Sequence, residues 1–464
     1  SKSISISVVN LSNLKLLDTS KNLFSGVLPT EIGYMTKLTL LYIYDNSFSG
    51  SLPESLSLLS ALEYIQFQTN LFTGSITSIG QLVNCINIDL SGNFLIGAIP
   101  STLGRLTGLT YLNLNTNQFS GALPDSLSEL VELEFLFAYS NTFTSTIPVG
   151  FEQLSKLINL NLYENDLTGV IPSAMGVLTK LTFLSLQDND LEGELPSILG
   201  DLTRLQGLYC GSNKITGSIP NTLGALHALT VLFLPSNSIT GILPSYLGTL
   251  DLLHELVLYD NSLYGPIPSS FGALTKLEEL ILYDNLLSGT IPADMGTMAS
   301  LQYLNFQSNL LVGTVPTELG RLLNLEELYL NYNRLSGFLP TALDTLRVRL
   351  LYLNLANNLF TGEIPVEYSN LDSLILFSVA GNYLSGPMDA VFSQGTQFTN
   401  TLLFVDLSDN GFTGSLPESL FNSTSLATFI GTQNCLLGAT LPESICDATS
   451  LVILDLAGLV AGSS

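Results

Sequence analysis

The sequence predicts an α/β solenoid, a curved right-handed superhelix of about 18 repeats of 24 residues with a parallel β-sheet on its concave side. Three observations predict it. The stretch LYDNLLSGTIP at residues 282–292 returns as LYDNSLYGPIP at 258–268 and as IYDNSFSGSLP at 43–53. Its asparagine, Asn285, has counterparts at Asn22, Asn46, Asn70, Asn93, Asn117, Asn141, Asn165, Asn189, Asn213, Asn237, Asn261, Asn309, Asn333, Asn358, Asn382, Asn410 and Asn434. Nearly every step is 24 residues, with 23 before Asn93, 25 before Asn358 and 28 before Asn410. Sixteen of the nineteen prolines share one position of this unit, the exceptions being Pro235, Pro266 and Pro387.

Each element of the unit L-x-x-L-x-L-x-x-N-x-L-x-G-x-(I/L)-P-x-x-L-G-x-L-x-x has a physical reason. In Leu277, Leu280 and Leu282 the apolar spacing of three and then two predicts a short strand with its leucines turned inward. The following repeat supplies the neighbouring strand. After the strand the backbone turns, and an inward asparagine amide offers donors and an acceptor to the groups that the turn leaves unpaired. Gly289 and its equivalents permit backbone conformations that a side chain penalises. Pro292 fixes φ where no amide donor is needed. No unit buries its apolar face alone, so stacked units share one core and the chain is expected to form one elongated domain rather than the three its length suggests. Residues 1–13 form a partial or atypical N-terminal repeat, 14–450 the solenoid, and 451–464 an incomplete C-terminal repeat or cap.

The L-x-G-x-I-P-x-x-L-G-x-L half, as in LTGVIPSAMGVL (167–178) and LSGTIPADMGTM (287–298), resembles the plant-specific class of leucine-rich repeat, from about Leu14 to Leu456. Proteins of this class include ectodomains of receptor kinases and receptor-like proteins and inhibitors of cell-wall polygalacturonases, with similar repeats in algae and protists. The resemblance implies a curved leucine-rich repeat superhelix that binds rather than catalyses. Two departures stand out. The chain opens SKSISISVVNLSNL with no tryptophan, unlike the family's cysteine-bearing cap, and its last repeat has Leu459 where asparagine belongs. A fragment or mature part of a longer polypeptide is therefore expected, the alternative being an unusually capped complete protein. The sequence carries no kinase signature, and none of its apolar runs is long enough to span a membrane.

Composition narrows the partners. With 14 Lys and Arg against 39 Asp and Glu, the formal charge of −25 argues against nucleic acid and acidic membrane surfaces. Cationic partners, metal ions or neutral sugars remain. The two histidines, His227 and His254, fall on different parts of their repeats, and no phosphate loop or paired-cysteine metal motif occurs, so neither an enzyme nor a cofactor is expected.

Cys85 and Cys210 occupy leucine positions and are expected to be buried free thiols. Cys435 and Cys446 resemble the terminal cysteine pairs that staple ends of this repeat class, which implies a disulfide. With the N-glycosylation sequons at Asn10 and Asn422, that pair supports an extracellular or cell-surface setting.

Function is expected on the exposed positions of the concave strands. Alignment by the asparagines puts Glu255, Glu279 and Glu327 in one column, Asp260 and Asp284 in another, and Tyr259 beside Tyr283, with Tyr303, Tyr329 and Tyr332 nearby. This acidic, aromatic patch is the expected ligand-binding surface, for a basic peptide or protein segment or for a glycan with bound Ca²⁺. The bland reading is a solvated face with aromatic neighbours packed across strands. Two functions of different class stay open: a recognition module for a peptide, protein or glycan, and a structural scaffold of a cell wall, cell surface or larger assembly. A row of Ser and Thr three residues after the asparagines is explained more simply by turn hydrogen bonds than by ice binding.

Overall fold

A computed structural model describes residues 4–392, 397–436, 441–446 and 448–459. They fall into two compact units, Ser1–Ser238 and Ile239–Ser464. The boundary cuts a repeat just after Asn237, with no break in the sequence pattern to mark it.

In the first unit the predicted strands are three residues long, from Leu16–Asp18 to Val231–Phe233, and run parallel. Their middle residues pair in register, for example Leu112 with Leu136 and Leu136 with Leu160. The second unit repeats this from Glu255–Val257 to Ile453–Asp455, with Leu256 opposite Leu280 and Leu280 opposite Leu304. These leucines are fully buried. A one-residue slip would turn every one of them to solvent, so burial fixes the register.

The asparagines lie behind the strands and tie neighbouring repeats together. Asn285 is buried; its Nδ2 donates to the carbonyls of Leu258 (3.0 Å), Leu282 (3.2 Å) and Tyr283 (3.2 Å), and its Oδ1 accepts from the Leu263 amide (3.0 Å). Asn309 repeats the set one turn on, with Leu282, Phe306, Gln307 and Leu287. Each of these amides thus satisfies its own turn and the one before it.

Two features were not in the predicted unit. The residues after the asparagine form a second set of parallel strands, such as Ser47–Ser51 and Leu71–Gly74 in the first unit and Ser262–Pro266 and Leu286–Gly289 in the second. The outer segment is a five-residue 3₁₀ turn in most repeats, such as Ala293–Thr297, started by Pro292. Only Gln397–Thr401 and Glu418–Phe421 are α-helical among the described residues. Two glycines of one repeat show why the residue is needed for different reasons. Gly289 adopts φ +76°, the left-handed region that side chains avoid, whereas a Cβ on Gly296 would lie 2.4 Å from the Glu318 carbonyl oxygen of the next turn.

Candidate ligand-binding face

The expected acidic, aromatic patch lies wholly in the second unit. Register places Glu255 directly opposite Glu279, Glu279 opposite Tyr303, and Tyr303 opposite Glu327. Side chains alternate along a strand, so a second column on the same face holds Val257, Ile281, Asn305 and Tyr329. Next come Tyr259 and Tyr283, whose rings stack at 4.4 Å and 7°. Along each of the first two strands the face therefore changes from carboxylate to aliphatic to aromatic.

The carboxylates stand half-buried at strand spacing with few cations to offset them. Burial, then Glu255, Glu278 and Glu327, hold the Glu279 carboxyl above its ordinary range. Burial and Glu326 do the same to Glu327. Tyr283 is pushed up to about 12, first by burial and then by Tyr259; Tyr329 is also pushed up to about 12, by burial and Glu327. Arg349 meets Glu326 at 3.2 Å, the one ion pair of the described residues that touches this patch.

The structure divides the expected residues into two groups. Glu255, Glu279, Tyr303, Glu327, Tyr329, Tyr259 and Tyr283 share the strand face, half-buried. Asp260, Asp284 and Tyr332 instead occupy the turn next to the asparagine, exposed, with φ of +54°, +51° and +56°. Aspartate tolerates that conformation better than most residues, so the Asp of the Tyr-Asp refrain has a backbone reason of its own. Tyr332 has none; a bulky residue held there stores strain. Sequence reasoning missed Asn331, which is 4% exposed with its Oδ1 buried and without a partner, and the Arg349 pair. Asn331 belongs to the Tyr259 and Tyr283 column, so the same alignment contains it.

His254 donates through Nδ1 to the Leu252 carbonyl at 2.8 Å. Among the described residues no three His, Cys, Asp or Glu side chains are grouped to hold a metal ion. Cys85 and Cys210 are fully buried, and burial pushes both thiols up to about 12. Cys435 and Cys446 are exposed free thiols, so the expected disulfide is not formed in this structure. Cys435 directly follows Asn434 and Cys446 ends the 3₁₀ turn Glu443–Cys446, and residues 437–440 between them lie outside the described set. Asn10 and Asn422 are both exposed.

The leucine-rich repeat family model matches residues 37–59, 108–130, 180–202, 300–322, 324–346, 349–371 and 401–423. No curated protein sequence matches the chain. Solved structures do. The chain is similar to the plant peptide hormone receptor RGFR1 in complex with RGF2, at 32% identity over 98% of this chain and 72% of that one, TM-score 0.95. It is similar to the Arabidopsis receptor kinase HAESA in complex with the peptide hormone IDA and the co-receptor SERK1, at 32% identity over 94% and 77% of the two chains, TM-score 0.84. A TDR receptor matches at 30% identity over 99% and 87%, TM-score 0.81. With its asparagine ladder, its second set of strands and these likenesses, the chain belongs to the leucine-rich repeat family, in the plant-type class of the receptor ectodomains.

Proposed function

We propose that this chain is an extracellular recognition module, and that the second unit's face between His254 and Tyr332 binds a basic segment of a peptide or protein. The observation that carries this reading is the pair Glu255 and Glu279, set directly opposite each other beside the stacked Tyr259 and Tyr283. Like charges in register destabilise a sheet, and a cationic ligand between them relieves that cost. The stacked tyrosines add a rigid apolar surface with hydroxyls at its rim. Solved relatives described as peptide hormone receptors support a peptide as the ligand class. An extracellular setting is supported by the same relatives; no described helix is long and apolar enough to cross a membrane.

The test is Glu279→Lys combined with Asp284→Lys, titrated with a library of Lys- and Arg-rich peptides over a range of salt. Binding weaker by about tenfold or more, with a shallower salt dependence, is expected. Unchanged affinity and salt slope in a folded variant would put the ligand elsewhere.

A further inference from the structure

The first unit carries a face of different chemistry. On three successive strands the outward positions are Tyr64 and Gln66, Asn87 and Asp89, and Tyr111 and Asn113, paired so that Gln66, Asp89 and Asn113 form one row and Tyr64, Asn87 and Tyr111 another. These polar groups are already fixed by one another. Gln66 Nε2 donates to Asn87 Oδ1 at 2.6 Å, and Gln68 Nε2 donates to Gln66 Oε1 at 3.0 Å. Asp89 is 7% exposed; its Oδ1 accepts from the Ser91 amide (3.0 Å) and hydroxyl (2.6 Å), and its Oδ2 from Asn113 Nδ2 (3.2 Å). Gln68 Oε1 is buried with no hydrogen-bond partner. On the next strand Phe135 and Phe137 stand 6.0 and 5.7 Å from the Tyr111 ring.

We propose that this face, centred on Gln66, Asp89 and Asn113 and walled by Tyr64 and Tyr111, binds a neutral glycan. The Gln66 and Gln68 amides, each spending one N–H inside the row, and the unpartnered Gln68 Oε1 supply donors and an acceptor of the kind that vicinal hydroxyls need, while Asp89 and Asn113, bonded to one another and to Tyr111 and Asn115, hold them in place, and aromatic rings offer flat apolar surfaces to the C–H faces of sugar rings. Tyr64 and Tyr111 lie two strands apart, about 10 Å at the usual strand spacing, close to the advance of two linked pyranose units. The alternatives fit less well. An anionic ligand meets Asp89 and no cation in this row; a basic peptide meets a single carboxylate already saturated by neutral donors at one oxygen. An apolar side chain would leave the buried Gln68 Oε1 without a donor. This site is in a different unit from the peptide face and does not depend on it.

The experiment titrates the full chain with the neutral hexasaccharides cellohexaose, xylohexaose and mannohexaose, with hexagalacturonate and a Lys-rich peptide as controls. At least one neutral hexasaccharide is expected to bind the wild type and the Glu279→Lys, Asp284→Lys variant equally. Asn113→Ala and Tyr64→Ala are each expected to weaken that binding about tenfold or more while leaving Lys-rich peptide binding unchanged. Tyr64→Ala removes a half-buried ring without touching the amide network, so it decides the matter if Asn113→Ala does not fold. Binding to no neutral hexasaccharide, binding to hexagalacturonate alone, or wild-type affinity in folded Tyr64→Ala would overturn the proposal.

Discussion

Asn285→Ala is expected to destabilise the second unit by about 2–4 kcal/mol, and the figure follows from counting what each partner has left. The carbonyls of Leu258, Leu282 and Tyr283 each keep another donor: Asn261 Nδ2, Asn309 Nδ2 and the Asp260 amide. The Leu263 amide keeps none, since Asn285 Oδ1 is its acceptor and Leu263 is 1% exposed. One orphaned buried amide costs about 1–3 kcal/mol, and the three weakened carbonyls with the vacated side-chain volume add about 1 more. Asn22→Ala is the internal control. Asn22 is exposed and donates to the Thr19 and Ser20 carbonyls of its own turn, so its loss costs less than about 1 kcal/mol. Urea denaturation gives the difference, and amide hydrogen exchange at Leu263 reports it locally, with protection falling by about thirtyfold or more. If the two variants lose the same stability, or Leu263 keeps its protection, the asparagine acts as a turn residue alone and the reasoning from shared carbonyls is wrong.

Gly296→Ala is expected to lower the melting temperature more than Gly97→Ala, because its Cβ meets a backbone oxygen at 2.4 Å whereas that of Gly97, at φ +83°, meets nothing within 4 Å; thermal denaturation ranks them, and the reverse order would show that φ outweighs crowding. Glu279 titrates above its ordinary 4.5 in the folded chain, so the fold penalises its charged form: the penalty is absent well below pH 4.5, sets in as pH rises past it, and is full above the raised value. Glu279→Gln should therefore raise stability at pH 7 and change it little in strong acid, as denaturation at the two pH values will show. Two of the four thiols should react with a disulfide reagent in the native protein and all four in denaturant, since Cys85 and Cys210 are buried and Cys435 and Cys446 exposed; no native reaction would mean that the last two are paired.

Much of the fold was legible because the 24-residue period repeats the spacing of Leu277, Leu280 and Leu282 in unit after unit, and stacking the units buries these leucines together. The second set of strands was not. A segment such as LSG at 287–289 has the composition of a turn, and Leu287 pairs with Gly265, 22 residues back rather than 24, so aligned columns of the repeat do not lie opposite each other there. The site followed the same division. Glu255 facing Glu279 was readable, since counting back from the asparagines reproduces the sheet register. The burial of Asn331 and the reach of Arg349 to Glu326 depend on what neighbouring side chains cover, which no column of the repeat encodes. The turn conformation of Asp260 and Asp284 was equally hidden: the alignment gives a residue's column but not its φ.

The asparagine ladder also makes the chain indifferent to miscounting. Between Asn382 and Asn410 the step is 28 residues, yet Asn410 Nδ2 still reaches back to the Val379 carbonyl at 3.0 Å and its Oδ1 still takes the Leu384 amide at 3.0 Å, the bonds that a regular rung such as Asn285 makes. Phase is thus reset at each rung rather than accumulated along the chain. Extra residues between rungs leave the next rung's bonds intact, so the length of a unit can vary separately from the surface it displays.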